Sequence, residues 1–528
     1  MVLPPRIYLF VILISVVILS TTSSALTSSA VVETRNKNNW NFINHDIYGT
    51  RNSNQTIIGK DNVDNLEVKW RLFNDFEIQD PPIVIGDRGY VQDYAGNILA
   101  FDTRTGHLIW KVSAGGGPTM GLAYDSGVIF ASTATNASIA AVNATNGKIM
   151  WKSHTLGDPK VGYSIDAPPI VWRDYVIAGS GGSGLPPGTG SVKGNVTALS
   201  RTSEGEIIWN LETTQGEWVK PGKTPPNGGA TAWSGGSLDP DTGILYLPLG
   251  SASPSFNAST RQTPNPYSNH MIAVNITNGN IVWTTPFIAH GTVLDVPVPD
   301  THDWDTSWGS SITRAVLENG TQRKVVIGHD KMGNVIAMDA ATGKEIWWKT
   351  LGKQYREDIT PMPNGSGMVW SYGVYNYHAV DNTTLYITAT NRGLNFFTDG
   401  ISGHKVAAPN SIEQGLVNGT IMALELMTGE TKWQLDTTFP PRVSPLVTGD
   451  VLFAGYIPFA KKSKTGLIMA LDKNTGEKLW EYTIDAPIAP VGPSIGDGML
   501  FIPTGKIQGL LSENKEEAQG SILAFGLP

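Results

Sequence analysis

No cysteine occurs in the 528 residues, which excludes disulfides, thiolate metal sites and a covalently attached c-type haem. Charge is scarce too. Asp, Glu, Lys and Arg make up 16% of the chain, with 46 acids against 38 bases. At a net charge of -8, and with no basic stripe, no nucleic-acid partner is expected. Long apolar runs are also missing. The most apolar stretch, the 13 residues 7–19, is shorter than the about 20 residues of a membrane span. Arg6 before it and the Ser/Thr/Ala stretch after it have the layout of an export signal. Residues 1–30 are therefore expected to be a signal peptide, an uncleaved anchor being the alternative, and 31–528 a single extracytoplasmic domain. Ten Asn-x-Ser/Thr sequons between Asn54 and Asn418 fit an exported glycoprotein.

What the chain has in quantity is turn formers, 58 Gly and 33 Pro, and 16 Trp. Seven segments share one pattern: an apolar strand with a central alanine, an Asp-like residue, a Gly turn and a Trp. They are ILAFDTRTGHLIW, IAAVNATNGKIMW, VTALSRTSEGEIIW, MIAVNITNGNIVW, VIAMDAATGKEIW, IMALELMTGETKW and LIMALDKNTGEKLW, ending at Trp110, Trp151, Trp209, Trp283, Trp347, Trp433 and Trp480. Self-similarity at this spacing marks a stacked or radial repeat, and each copy reads as a β-hairpin. An eighth copy is split between the ends. SILAF, with Ala524 in the alanine slot, has no Trp after it, and DNLEVKW, ending at Trp70, has no alanine strand before it. Joining the halves closes a ring without open edges. The expected fold is all-β, an eight-bladed propeller closed by pairing of N- and C-terminal strands.

Repeats of this AxDxxTGxxxW type, together with the opening segment YGTRNSNQTIIGKDNVDNLEVKW, resemble the pyrroloquinoline quinone (PQQ) dehydrogenases, the methanol and alcohol dehydrogenase family. The resemblance runs from about Asn39 to the C-terminus. It implies three site residues. Trp233, in GGATAWSGGSLDPDTGILY, matches the tryptophan on which the quinone stacks. In THDWDTSWG, Asp305 matches the catalytic base, with Trp304 before it; Asp303 matches the first Asp of the signature if one residue is deleted after it. Lys331, in VVIGHDKMGNVIAMD, matches a cation that contacts the reactive quinone oxygen. Read without the resemblance, these are a core Trp, a turn-capping Asp and a surface Lys before a turn.

The pattern also breaks. The family holds Ca²⁺ with a Glu, an Asn and the catalytic Asp, and here Gly184 and Ser251 stand at the first two places, leaving Asp305 as the matched ligand. A cofactor-binding Arg falls at Met120, a disulfide at the glycines near Gly115, and a second carboxylate of the lanthanide enzymes at Ser307. Asp166 is a substitute-ligand candidate. Two classes stay open. One is an exported PQQ oxidoreductase that oxidises an alcohol or other hydroxyl compound by hydride transfer, has an incomplete calcium shell and passes electrons to a separate acceptor protein. The other is a cofactor-free binding or assembly scaffold.

Overall fold

The alanine strand of each repeat is the third strand of an antiparallel four-stranded sheet and the tryptophan strand is the fourth. Blade 1 shows the pattern with Ile83–Ile85, Arg88–Gln92, Asn97–Asp102 and Leu108–Ser113. The innermost strands of blades 2 to 7 are Leu122–Asp125, Ile170–Trp172, Ser237–Asp239, Ser311–Val316, Ala379–Val380 and Val443–Thr448. Blade 8 takes Ser494–Gly496, Met499–Thr504 and Gly520–Gly526 from the C-terminal part and Glu67–Asn74 from the N-terminal part. Trp70 lies opposite Ala524, so the chain forms the eight-bladed propeller that the split repeat implied. The computed structural model describes residues 39–116, 121–181, 192–214, 228–253, 267–287, 306, 309–317, 319–352, 367–398, 405–407, 418–456, 465–505 and 519–528; the expected signal segment lies outside them.

Register explains why the repeat is conserved within the chain. Every alanine pairs directly with its own tryptophan, from Ala100 with Trp110 to Ala470 with Trp480, so both occupy one face of the sheet. A register shift follows each pair, a β-bulge that the sequence pattern did not reveal. The indole then docks on the Gly turn of the next blade. A Cβ built on Gly106 would sit 2.6 Å from the Trp70 ring, and one on Gly343 2.5 Å from the Trp283 ring. Indole N–H groups cap carbonyls there, Trp70 to Thr103 at 2.9 Å and Trp283 to Ala340 at 3.0 Å. Glycine is required twice over, since φ is +72° at Gly106 and +68° at Gly343.

The same turns account for some sequons. Asn143 and Asn275 take the Asp slot of their repeats, and their carboxamide oxygens accept from Thr145 and Thr277 amides, each at 2.9 Å. Asn195 is 8% exposed, so the folded chain offers that sequon poorly to a glycan.

Two features go beyond the repeat. Residues 40–53 run along the innermost strands and fill the axis. Trp40 exchanges hydrogen bonds with Val84 of blade 1, Asn41 accepts from Tyr124 of blade 2, and Ile47, Tyr48, Thr50 and Arg51 accept from Leu238, Ile312, Val380 and Val447 of blades 4 to 7. Arg51 is fully buried and donates to the carbonyls of Pro445 and Pro493, each at 2.8 Å, and of Ile43 at 3.2 Å. In blade 6 the second strand, Thr384–Thr398, extends past the sheet and pairs with Gly367–Gly373 and Lys405–Ala407.

Candidate functional site

Strands alternate in direction within a blade, so the loops entering innermost strands and the loops joining second to third strands emerge at one axial end. The site is built from these loops. Trp233 stands in the Gly-rich loop that enters blade 4, and Lys331 in the turn between Gln322–His329 and Asn334–Asp339 of blade 5. The Lys331 ammonium lies 5.2 Å from the centroid of the Trp233 ring. Although 98 positions separate them in the chain, the fold brings a cation and a flat aromatic face together.

The Lys331 turn is held by hydrogen bonds to Asp330. Asp330, fully buried, accepts from the amides of Met332 and Asn334, both at 2.9 Å, and from the Asn334 carboxamide at 2.7 Å. Blade 1 has the same device, in which Asp93 accepts from the Ala95 amide at 3.0 Å and the Asn97 amide at 2.9 Å. The shared signal is D-x-x-G-N, in DYAGN and DKMGN, which puts Tyr94 at the position equivalent to Lys331. Blades 1 and 5 are four steps apart in a ring of eight, so the two turns belong to opposite blades.

Asp305, Trp304, Asp303 and Ser307 lie outside the described residues, as do Gly184 and Met120. Thr306 and Gly309, which follow Asp305, are described. Thr306, next to Asp305 in the chain, is fully buried, forms a bridge with Asp330 and donates to the Leu249 carbonyl. Gly309 donates to the Ser234 hydroxyl at 3.1 Å. The chain that follows Asp305 is thus fastened beside Lys331 and Trp233.

Tyr377 was missed by sequence reasoning. Its hydroxyl donates to the Ser234 carbonyl at 3.0 Å and its amide to the Ser444 hydroxyl at 3.1 Å, which ties the loops entering blades 4 and 6 to the innermost strand of blade 7. Burial pushes its ionisation far up, and Asp80 adds to that shift while Arg51 opposes it. Asp80, 3% exposed, is itself raised well above the carboxylate range by burial, and its Oδ1 has no hydrogen-bond partner. Behind the Lys331 turn, His329 and His378 meet edge to face at 5.2 Å, and Ser311 lies 2.6 Å from His378 Nε2. Burial holds both rings neutral. His378 is pulled down to about 3 by burial and then by Arg51, and His329 falls well below its usual value by burial and then by His378.

Of the substitute and departing positions, Asp166 is packed onto Gly181, where an added Cβ would lie 1.8 Å from its Oδ2. It raises the ionisation of Tyr94, together with Glu77 and after burial. The Ser251 hydroxyl bonds the carboxamide oxygen of Asn269 at 3.3 Å. Gly115, at φ +135°, packs its carbonyl where a Cβ on Gly96 would fall at 1.7 Å, so backbone fills that place closely. Among the described residues, no three His, Cys, Asp or Glu side chains gather as a metal centre.

Residues 40–351 match the model of the glucose/ethanol/alcohol dehydrogenase β-propeller domain, and 417–517 that of the outer membrane protein assembly factor BamB. The chain is 24% identical over 504 residues to the quinoprotein alcohol dehydrogenase PedH of Pseudomonas putida, covering 83% of this chain and 80% of PedH. It is 24% identical to the quinohemoprotein alcohol dehydrogenase ADH-IIG of the same species, covering 84% and 69%. Among solved structures, that of ADH-IIG from Pseudomonas putida superimposes with a TM-score of 0.74 at 19% identity, over 93% of this chain and 80% of its own. A europium-containing methanol dehydrogenase gives 0.71 at 18% identity, over 93% and 99%.

Proposed function

We propose that this chain, which belongs to the PQQ-type glucose/ethanol/alcohol dehydrogenase β-propeller family, is an extracytoplasmic oxidoreductase that oxidises a hydroxyl compound with PQQ. The observation that carries the reading is the ammonium of Lys331 held 5.2 Å over the Trp233 ring. A planar, electron-poor, anionic cofactor needs both an aromatic face and a fixed positive charge, and these residues offer both. Trp233 would hold the ring by stacking, Lys331 would sit at its reactive oxygen, and Trp304 would border it. When bound, PQQ supplies a two-electron oxidant that takes hydride from carbon.

The chain's own part is proton removal and positioning. Asp305 takes the hydroxyl proton as the carbon–hydrogen bond is lost, and a positioned base of this kind contributes about 100- to 10,000-fold. Thr306, which follows it in the chain, is anchored to Asp330 and Leu249. Calcium fits poorly: the Ser251 hydroxyl is a single neutral donor already bonded to Asn269, and Gly184 brings no side-chain oxygen. No step is therefore assigned to a metal. Electrons leave to a separate acceptor protein, because the chain has no c-type haem attachment site. Among the described residues no helix is long and apolar enough to cross a membrane; extracytoplasmic placement rests on the signal-like N-terminus. The scaffold alternative is not favoured.

Dye-linked turnover of purified protein loaded with PQQ tests this reading. Asp305→Asn should lower turnover at least about 100-fold while PQQ binding changes little, and Asp303→Asn should be milder. The opposite ranking would make Asp303 the base.

A further inference from the structure

The Asn-x-Ser/Thr sequons are a sequence signal that the chemistry above leaves unused. The motif specifies the asparagine and the hydroxyl residue two positions on, so a transferase that modifies the folded chain must reach both. Eight of the ten asparagines are described; Asn257 and Asn364 lie outside the described residues. The fold separates the eight. Asn143, Asn195 and Asn275 are ladder residues, opposite Val128, Glu212 and Ile244, and presenting them would open a sheet. The sequons of Asn136, Asn382 and Asn418 have buried hydroxyl residues, with Ser138 and Thr384 5% exposed and Thr420 3%. Asn54 and Thr56 are exposed, but Gln55 between them is buried and donates to the Ile58 carbonyl at 3.2 Å and to the Thr448 hydroxyl. That clamp holds the tripeptide against blade 7.

Asn319 differs from all of these. Asn319, Gly320 and Thr321 are each exposed, in the turn between Ser311–Val316 and Gln322–His329 of blade 5. Gly320 has φ +79°, and nothing lies within 4 Å of a Cβ built on it. The turn is shaped by bonds from the Leu317 amide to the Thr321 carbonyl at 2.9 Å and from the Gly320 amide to the Leu317 carbonyl at 2.8 Å. Asn319 Oδ1 accepts from the Thr321 amide at 3.0 Å and from the Thr321 hydroxyl at 2.6 Å. Oxygen and nitrogen lie on opposite sides of a planar carboxamide, so tying Oδ1 to its own turn leaves Nδ2 directed away from it. Asn275 makes the same two bonds to Thr277, but from within a strand. A turn joining first and second strands emerges at the axial end opposite the loops that carry Trp233 and Lys331, so a bulky group there leaves the site open.

We propose that Asn319 is a glycan acceptor of the folded chain, a modification site whose co-substrate is an oligosaccharide carried on a polyprenyl diphosphate. In the transfer Nδ2 bonds to the anomeric carbon, the bond from that carbon to the diphosphate oxygen breaks with its electron pair leaving on the diphosphate, and one amide proton passes to the transferase. In the cell this step rests on the extracytoplasmic placement above; with purified protein it does not.

The test incubates the purified, folded protein with a polyprenyl-diphosphate-linked oligosaccharide and an oligosaccharyltransferase chosen because it modifies a free peptide of residues 316–324. Mass spectrometry of the digested product then reads occupancy at each sequon. Occupancy at Asn319 should exceed that at Asn143, Asn195 or Asn275 at least about tenfold, because those become available only as their ladders open. When the chain is digested to peptides before the transfer, most of that difference should disappear. Thr321→Ser should keep the modification, whereas Thr321→Val and Asn319→Gln should lose it; all three stand in an exposed turn and should melt with the wild type. A folded wild type left unmodified at Asn319 overturns the proposal, as does occupancy at Asn195 equal to that at Asn319. If the purified protein accepts the glycan at Asn319 but the chain made with its own N-terminus in a glycosylating host does not carry it, the extracytoplasmic placement falls and the acceptor assignment stands.

Discussion

Replacing Gly343 by alanine should damage the ring by an amount that can be worked out from one turn. Its φ of +68° is in the left-handed region, and a Cβ there would stand 2.5 and 2.6 Å from two Trp283 ring atoms and 2.8 Å from Thr285 Oγ1. Left-handed backbone costs an alanine about 1–2 kcal/mol, and overpacking against a rigid ring adds roughly 1–3 kcal/mol, so the sum is about 2–5 kcal/mol. Unfolding entropy of about 2 cal/mol/K per residue gives roughly 1 kcal/mol/K for a chain of this size, so melting should fall by about 2–5 °C. Gly320 provides the control. Its φ is +79° and nothing lies within 4 Å of its added Cβ, so Gly320→Ala should lose about 1–2 °C through the backbone alone. Scanning calorimetry on the two variants separates the terms. Equal losses would refute the claim that indole docking, rather than turn conformation, requires the repeat glycine.

Other consequences can be checked directly. Removing residues 521–528 deletes most of the strand paired with Glu67–Asn74, so the truncated chain should aggregate or lose its cooperative melting; unchanged melting would exclude closure through blade 8. Acid should weaken the fold through His378 and His329, whose native pKa values lie below the ordinary value. The unfolded chain takes up protons there first, so this contribution is complete above about pH 6.5 and is lost as pH falls from there toward about 3. His378→Gln should flatten the difference between urea midpoints at pH 5 and pH 7, and an unaltered slope would assign it to other groups.

The ring was legible because seven copies place Ala, Gly and Trp at offsets that vary by no more than one residue, and those offsets are the docking contact itself: Ala470 opposite Trp480, Gly476 under Trp433. The axial filling by residues 40–53 was not, because it is made by backbone groups whose hydrogen bonds leave no side-chain signature. Trp233 and Lys331 were singled out through motifs that resemble the family's, and the fold brings the two side chains to 5.2 Å. Tyr377 escaped notice because it stands in a non-repeated loop of ordinary composition, where only the fold brings Ser234 and Ser444 within reach. A second D-x-x-G-N copy was visible in the sequence and would have identified Asp330 as a turn-holding residue. Asp305 stands as before, on the family pattern and the anchored Thr306.

Titration of purified protein with PQQ, followed by quenching of tryptophan fluorescence and by the cofactor's absorption, tests the central claim most directly. Saturable binding at one site is expected, weakened roughly tenfold or more in Trp233→Ala through loss of stacking and buried area, and strengthened little by Ca²⁺. Absence of saturable binding in the wild type, or equal affinity in Trp233→Ala, would contradict it.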